Sequence, residues 1–312
     1  MKKLYIVLSL FIIILSTGCS EINNKDELTI YTTNYAQKFI LESIGQEYVN
    51  AYSIYDNTNE FNLEDSDNFE YIVRDPNTFS FKDYPEVLNS VLEADMFIYN
   101  GKSSKDTVVL DELVSDTKSE DIPLLDSTKN ADISTVEKNM GLSYNGQVVD
   151  SNIKTVLNTN HELEMFWLSP IEMQNVSTEI YNFLIDAMPS KKEYFEKNFD
   201  ALMFDLDSLY ASIEAISSNT INNMIVSDSL ELNVLKIHYI ENIYLNIEND
   251  EYMDEISNYI TIENSLSIST TDPSSQNYFD LAEVQSVENY ENGMRYYEIM
   301  LTNYTTLERV LQ

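Results

Sequence analysis

The 312 residues hold two histidines, His161 and His238, and one cysteine, Cys19. No structural zinc site of the Cys₄ or Cys₂His₂ kind can be assembled from that inventory, and a single thiol excludes a disulfide within the chain. Carboxylates are the opposite case. With 53 Asp and Glu against 18 Lys and Arg, a formal net charge of −35, any carboxylate pair picked by eye is as readily solvated surface as an acid/base dyad. Ser227 and Ser229 beside Asp228 could suggest a nucleophile, yet no G-x-S-x-G elbow surrounds them and no histidine is placed by the sequence to serve them. Capping of orphan N–H groups at a strand-to-helix junction is the simpler role for them. Only six glycines occur, and they form neither the dinucleotide fingerprint nor the P-loop pattern. Enzymatic activity is therefore not expected.

The charge narrows the partners as well. Gripping a phosphate backbone needs clustered Lys and Arg with counterion release, so nucleic acid is excluded as a partner. The same field attracts cations diffusely, which is not a binding site. Twenty-two tyrosines offer rigid rings with polar tips, suited to core edges or to a contact surface.

At the start of the chain Lys2 and Lys3 precede an uncharged stretch, Leu4 to Leu15, about 18 Å long as a helix against the roughly 30 Å a span requires. This reads as a secretory leader. The run L-S-T-G-C ending at Cys19 resembles the lipobox of bacterial lipoproteins. That resemblance implies cleavage after residue 18, a lipid-modified (palmitate-bearing) Cys19, and a mature chain tethered to the extracytoplasmic face of the bacterial membrane.

The elements that would position any site alternate between strand and helix. Leu28 to Thr33 is rich in β-branched and aromatic residues and reads as a strand. Phe39, Ile40 and Ile44, closed by Gly45, mark a helix face, and Ala51 to Tyr55 a second strand. After a polar loop, Asp56 to Phe69, the spacing of Val87, Leu88, Val91 and Leu92 predicts a helix over Tyr84 to Ala94. A central strand follows over Asp95 to Gly101, closed by Asn-Gly, and a further helix-to-strand passage leads to Ile122 to Asp126.

The most regular signal is later. Phe195, Phe199, Leu202, Leu206, Leu209, Ile213 and Ile216 share one face of a helix over Lys191 to Ser217, about 40 Å long. The spacing allows a rod that joins and supports two lobes, or half of a coiled coil with another chain. Strands over Asn222 to Asp228 and Ile243 to Ile247, a helix around Leu230 to Ile240 and a closing helix from Met294 to Leu311 complete the reading. The expected fold is α/β: two lobes, each a mostly parallel sheet flanked by helices, joined by one long rigid helix. The boundaries are 1–18 leader, 19–27 polar tether, 28–190 first lobe, 191–217 linker helix and 218–312 second lobe.

Several segments in this order are similar to the solute-binding lipoproteins of zinc and manganese ABC importers. They are L-T-I-Y-T-T-N-Y from Leu28, D-P-N-T-F from Asp75, E-A-D-M-F-I-Y-N-G from Glu93, F-W-L-S-P from Phe166, and the last helix, Y-Y-E-I-M-L-T-N-Y-T-T-L-E-R-V-L. The resemblance runs from about Leu28 to Leu311. It implies one divalent zinc- or manganese-like ion held between the lobes, a permease and an ATPase as partners, and a monomer. Carried over position by position, the family ligands fall on Asn77, Met165, Asp228 and Asp280, with His161 four residues before Met165 as a further candidate; His238 lies inside the expected second-lobe helix. None of the family histidines is retained. An amide, a thioether and two carboxylates combine soft and hard donors that no common divalent ion prefers together. The stretch from Ser104 to Asn160 also lacks the histidine-rich loop of some zinc-binding relatives. Altered or lost metal selectivity follows, and an interaction or adhesion protein on the same scaffold is the alternative.

Overall fold

Alternation of side chains builds the first sheet. In the computed structural model β1 (Leu28–Thr32) sends Leu28 and Ile30 into one apolar cluster and Tyr31 into another, as the twofold period of a strand buried on both faces requires. The structure describes residues 26–55, 74, 78–115, 122–131, 141–144, 147–149, 165–219, 224–227, 232, 235, 242–247, 261–262, 266–268, 274–279 and 296–311.

Helix α1 (Tyr35–Gly45) starts where Asn34 accepts the Gln37 N–H at 3.0 Å and buries Ile40, Leu41 and Ile44. Its end requires glycine, because a Cβ on Gly45 would overlap the Val49 side chain. Gln46, at φ 45°, then turns the chain into β2 (Val49–Ser53). Helix α2 (Pro85–Leu92), β3 (Met96–Tyr99), α3 (Ser104–Ser115) and β4 (Leu124–Asp126) follow. The four strands are parallel, in the order β2-β1-β3-β4. Val87 and Val91 of α2 and Val109 and Leu113 of α3 join Tyr31 and Phe97 in the cluster on one face. The opposite cluster takes Val49, Ala51, Met96 and Ile98 together with α1 and three later helices.

Those helices are α4 (Pro170–Ala187), α5 (Lys192–Ser218) and α6 (Tyr296–Leu311). The long helix of 27 residues buries Phe195, Leu202, Leu206, Leu209 and Ile213, with Phe199 and Ile216 half-buried beside them. It packs against α1, α4 and α6. Exposed Asp and Glu cover its outer face, where Phe204 is 71% exposed.

A second sheet of six strands runs β10-β7-β8-β5-β6-β9. It comprises β5 (Gly141–Tyr144), β6 (Gln147–Val149), β7 (Met224–Ser227), β8 (Asn242–Ile247), β9 (Thr261–Ile262) and β10 (Leu266–Ile268). Strands β10, β7, β8 and β5 are mutually parallel, whereas β6 runs antiparallel to both β5 and β9. Helix α6 contacts β7 and β10.

An α/β fold with parallel sheet flanked by helices is thus in place. Three differences from the sequence reading have physical reasons. The second strand begins two residues early, because Gly45 brings Val49 directly under the helix end. Residues 141–149, for which no element was expected, hold strands: β5 and β6 pair across Leu142 and Val149. Strands from within 28–190 therefore pair with strands beyond 218, since β5 lies against β8 in register Leu142 to Leu245. The polar loop Asp56 to Phe69 and nearly all of the Leu230 to Ile240 helix lie outside the described residues.

Candidate functional site

In a parallel sheet the carboxyl ends of the strands and the amino ends of the following helices converge on one edge, the usual place for a ligand. Here that edge is a buried polar platform. Thr32 ends β1 and Thr33 and Asn34 follow it, Ser53 ends β2, Asn100 and Ser103 follow β3, and Ser127 and Thr128 follow β4; all are buried. Asp106, in the first turn of α3, is the charged centre. Its carboxylate accepts the Asn100 N–H at 2.9 Å, the Thr33 hydroxyl and, at 3.3 Å, the Ser103 hydroxyl. Gln37 of α1 accepts the Thr33 N–H at 3.2 Å and donates to Ser127 at 2.9 Å. Thr128 donates to Asn100 Oδ1 and to Asp126 Oδ1, each at 2.9 Å. Asp126 also accepts the Gly101 N–H at 3.0 Å, and a Cβ on Gly101 would collide with that carboxylate. Burial, and then the charge of Asp126, push the Tyr99 phenol above its ordinary range. Donors and acceptors in the platform are matched to one another, so it holds strand ends rigid instead of offering open valences.

Two further segments lie next to sequence-derived positions. Arg74, 6% exposed, donates from its backbone to Tyr55 O at 3.1 Å and from its guanidinium to Ile54 O at 3.3 Å, with Tyr84 under the guanidinium at 5.0 Å. The second is the turn Phe166–Leu168, a single 3₁₀ turn after Met165. Ser169 then caps α4, accepting the Glu172 N–H at 3.4 Å, with Pro170 in the first turn.

Of the residues singled out by sequence, the structure describes Met165. It is 8% exposed and belongs to the apolar cluster that includes Phe166, Trp167 and Leu168. Asn77, His161, Asp228, Asp280, His238 and Cys19 lie outside the described residues. Their chain neighbours are placed: Ser227 ends β7, paired in parallel with Leu245 and Ile268, and Phe279 is fully buried in the same cluster as Met165. Among the described residues no group of three or more His, Cys, Asp or Glu could hold a metal ion, and no helix is long and apolar enough to cross a membrane.

Sequence reasoning overlooked two features of this region. The platform was hidden because Thr, Ser, Asn and Gln carry no spacing signature, although their concentration just after each strand could have drawn notice. Tyr296, which bonds the Trp167 carbonyl from α6 at 2.5 Å, leaves no local signal at all.

The model of the family described as ZnuA, zinc-uptake complex component A, periplasmic, matches residues 74–231, just over half of the chain. Solved structures share the fold. The Zn(II)-bound ZnuA-like domain of Streptococcus pneumoniae AdcA superposes with a TM-score of 0.62 at 17% identity, covering 91% of this chain and 99% of that one. The metal-dependent lipoprotein YcdH of Bacillus subtilis gives 0.62 at 15% identity, covering 92% and 100%. The laminin-binding protein Lbp of Streptococcus pyogenes gives 0.57 at 13% identity, again covering 92% and 100%. No curated protein matches the chain.

Proposed function

The chain belongs to the family of periplasmic zinc-uptake complex components A, and on that premise we propose that it is the surface-anchored solute-binding lipoprotein of a metal-type ABC importer whose ligand set has degenerated. The observation that carries this is the family match over residues 74–231, a span that contains three of the proposed ligand positions, Asn77, Met165 and Asp228. It is not a catalyst; its work is capture and hand-over of a cation to a permease and its ATPase. The two sheets act as two lobes in this reading. Helix α5 is the rigid element between them, supported by its packing on α1, α4 and α6, and it restricts closure to small lobe movements. Cys19 supplies the lipid anchor outside the membrane.

Asn77, Met165, Asp228 and Asp280 are the proposed ligand positions, with His161 as an accessory. An amide oxygen, a thioether and two carboxylates pull selectivity away from zinc, toward copper(I) through sulfur or toward manganese and calcium through oxygen. Titration of the mature chain with zinc, manganese, calcium and copper(I) tests this. Saturation by one equivalent at micromolar or lower concentration is expected for one of them.

The second reading is a lipid-anchored adhesion or interaction protein that retains the scaffold without transport. It is favoured by the common fold with the laminin-binding Lbp and by the simultaneous loss of the family imidazoles. Absence of saturable binding by all four cations selects it.

A further inference from the structure

Tyr296 opens α6 and is 7% exposed. Its hydroxyl donates to the carbonyl oxygen of Trp167 at 2.5 Å, across 129 residues of sequence, and its ring lies 5.4 Å from that of Phe39 on α1. Trp167 sits in the 3₁₀ turn after Met165, which is closed by Leu168 N–H to Met165 O at 3.3 Å and Ser169 N–H to Phe166 O at 3.1 Å. The same helix packs on β7 and β10 of the second sheet.

We infer that Tyr296 is a positioning residue, a latch that fixes the turn carrying Met165 to the helix seated on the second sheet. The inference rests on the reading of Met165 as a ligand position. Loss of a hydrogen bond to a buried peptide carbonyl is costly, so the place of the turn is tied to that of α6. Movement of the second sheet is thereby transmitted to the Met165 segment through the Tyr296–Trp167 hydrogen bond. Tyr304, eight residues on in α6, shows the contrast: it is 1% exposed, and its hydroxyl has no partner among the described residues.

Trp167 is the single tryptophan of the chain, so its fluorescence reports the turn without interference. The test compares Y296F with Y304F in the full-length chain. Readouts are Trp167 emission, amide exchange at Leu168 and Ser169, and titration with zinc, manganese, calcium and copper(I). In Y296F the emission moves to longer wavelength, both amides exchange up to about tenfold faster, and half-saturation by the bound cation rises by a similar factor. Y304F leaves all three unchanged. F39L, which loosens the seat of the Tyr296 ring but keeps the donor, shifts the same readouts in the same direction and decides between latch and no latch if Y296F does not fold. Emission and exchange in Y296F equal to those in Y304F overturn the latch. A latch signature in a protein that no cation saturates upholds the latch and overturns the cation reading. Cation binding unchanged by Y296F despite shifted emission overturns the positioning of Met165.

Discussion

The first sheet is wholly parallel, its strands joined through helices that pack on both faces; the second combines four parallel strands with an antiparallel hairpin from residues 141–149. The first sheet ends in a closed polar platform around Asp106. The second is completed by strands drawn from distant parts of the chain and touched by the last helix. The contrast teaches that the first sheet takes its strands from one continuous stretch of chain, whereas the second depends on long-range strand pairing, and that both are covered by helices from later in the chain. Among the described residues the sharing passes through α6, which contacts β7 and β10 and packs on α5.

The largest effect should come from cutting that shared support. Leu209 is fully buried in α5, and L209A is expected to cost about 3.5 kcal/mol, measured by denaturant unfolding. Faster amide exchange in both sheets supports a common support; a change confined to one breaks the comparison. F204A, on the exposed face of the same helix, should stay within about 0.5 kcal/mol.

D106A should cost about 3 kcal/mol, because the Asn100 N–H and the Thr33 and Ser103 hydroxyls lose a charged acceptor. Exchange at β1 and β3 should rise with it. If β7 and β8 open instead, the platform does not belong to the first region alone.

Restoring imidazoles sharpens the functional side of the comparison. N77H/M165H/D228H draws on segments associated with both sheets and should tighten zinc binding about a hundredfold, or about 2.7 kcal/mol, by calorimetric titration. N77H or D228H alone should give much less than half of that gain in energy. Equal, additive gains would mean that the two positions do not share an ion.

The smallest effect distinguishes deep from shallow phenols at alkaline pH. Burial, and then Tyr296, raise the Tyr304 phenol well above its usual range. A raised phenol contributes stability that is complete below about pH 10, where the unfolded group titrates, and is lost as pH rises toward the folded value. The slope is about 1.4 kcal/mol per pH unit per proton. Y304F should therefore flatten the stability profile above pH 10 by about that slope. Y99F, at the less deeply buried end of β3, should flatten it less.

Much of the first region was legible because its signals are local. The L-T-I-Y-T-T run, the apolar face closed by Gly45 and the M-F-I-Y strand each declare themselves within a dozen residues. So does the stripe on α5, where five of its seven apolar residues are buried. The hairpin was overlooked despite Asn145-Gly146 between L-S-Y and Q-V-V, a turn dipeptide flanked by strand formers. Its pairing with β8, more than 90 residues on, has no local signature.

By itself the sequence determined the α/β character, the long amphipathic helix, the acidic surface and the family to which the chain belongs. Periodicity, composition and motif order are properties of short windows and of chemistry. Only the tertiary structure decided which strands share a sheet, how Asp106 is satisfied, and that Tyr296 reaches the turn beside Met165. These are contacts between residues far apart in the chain, and their partners are fixed by packing geometry, which no window of sequence contains.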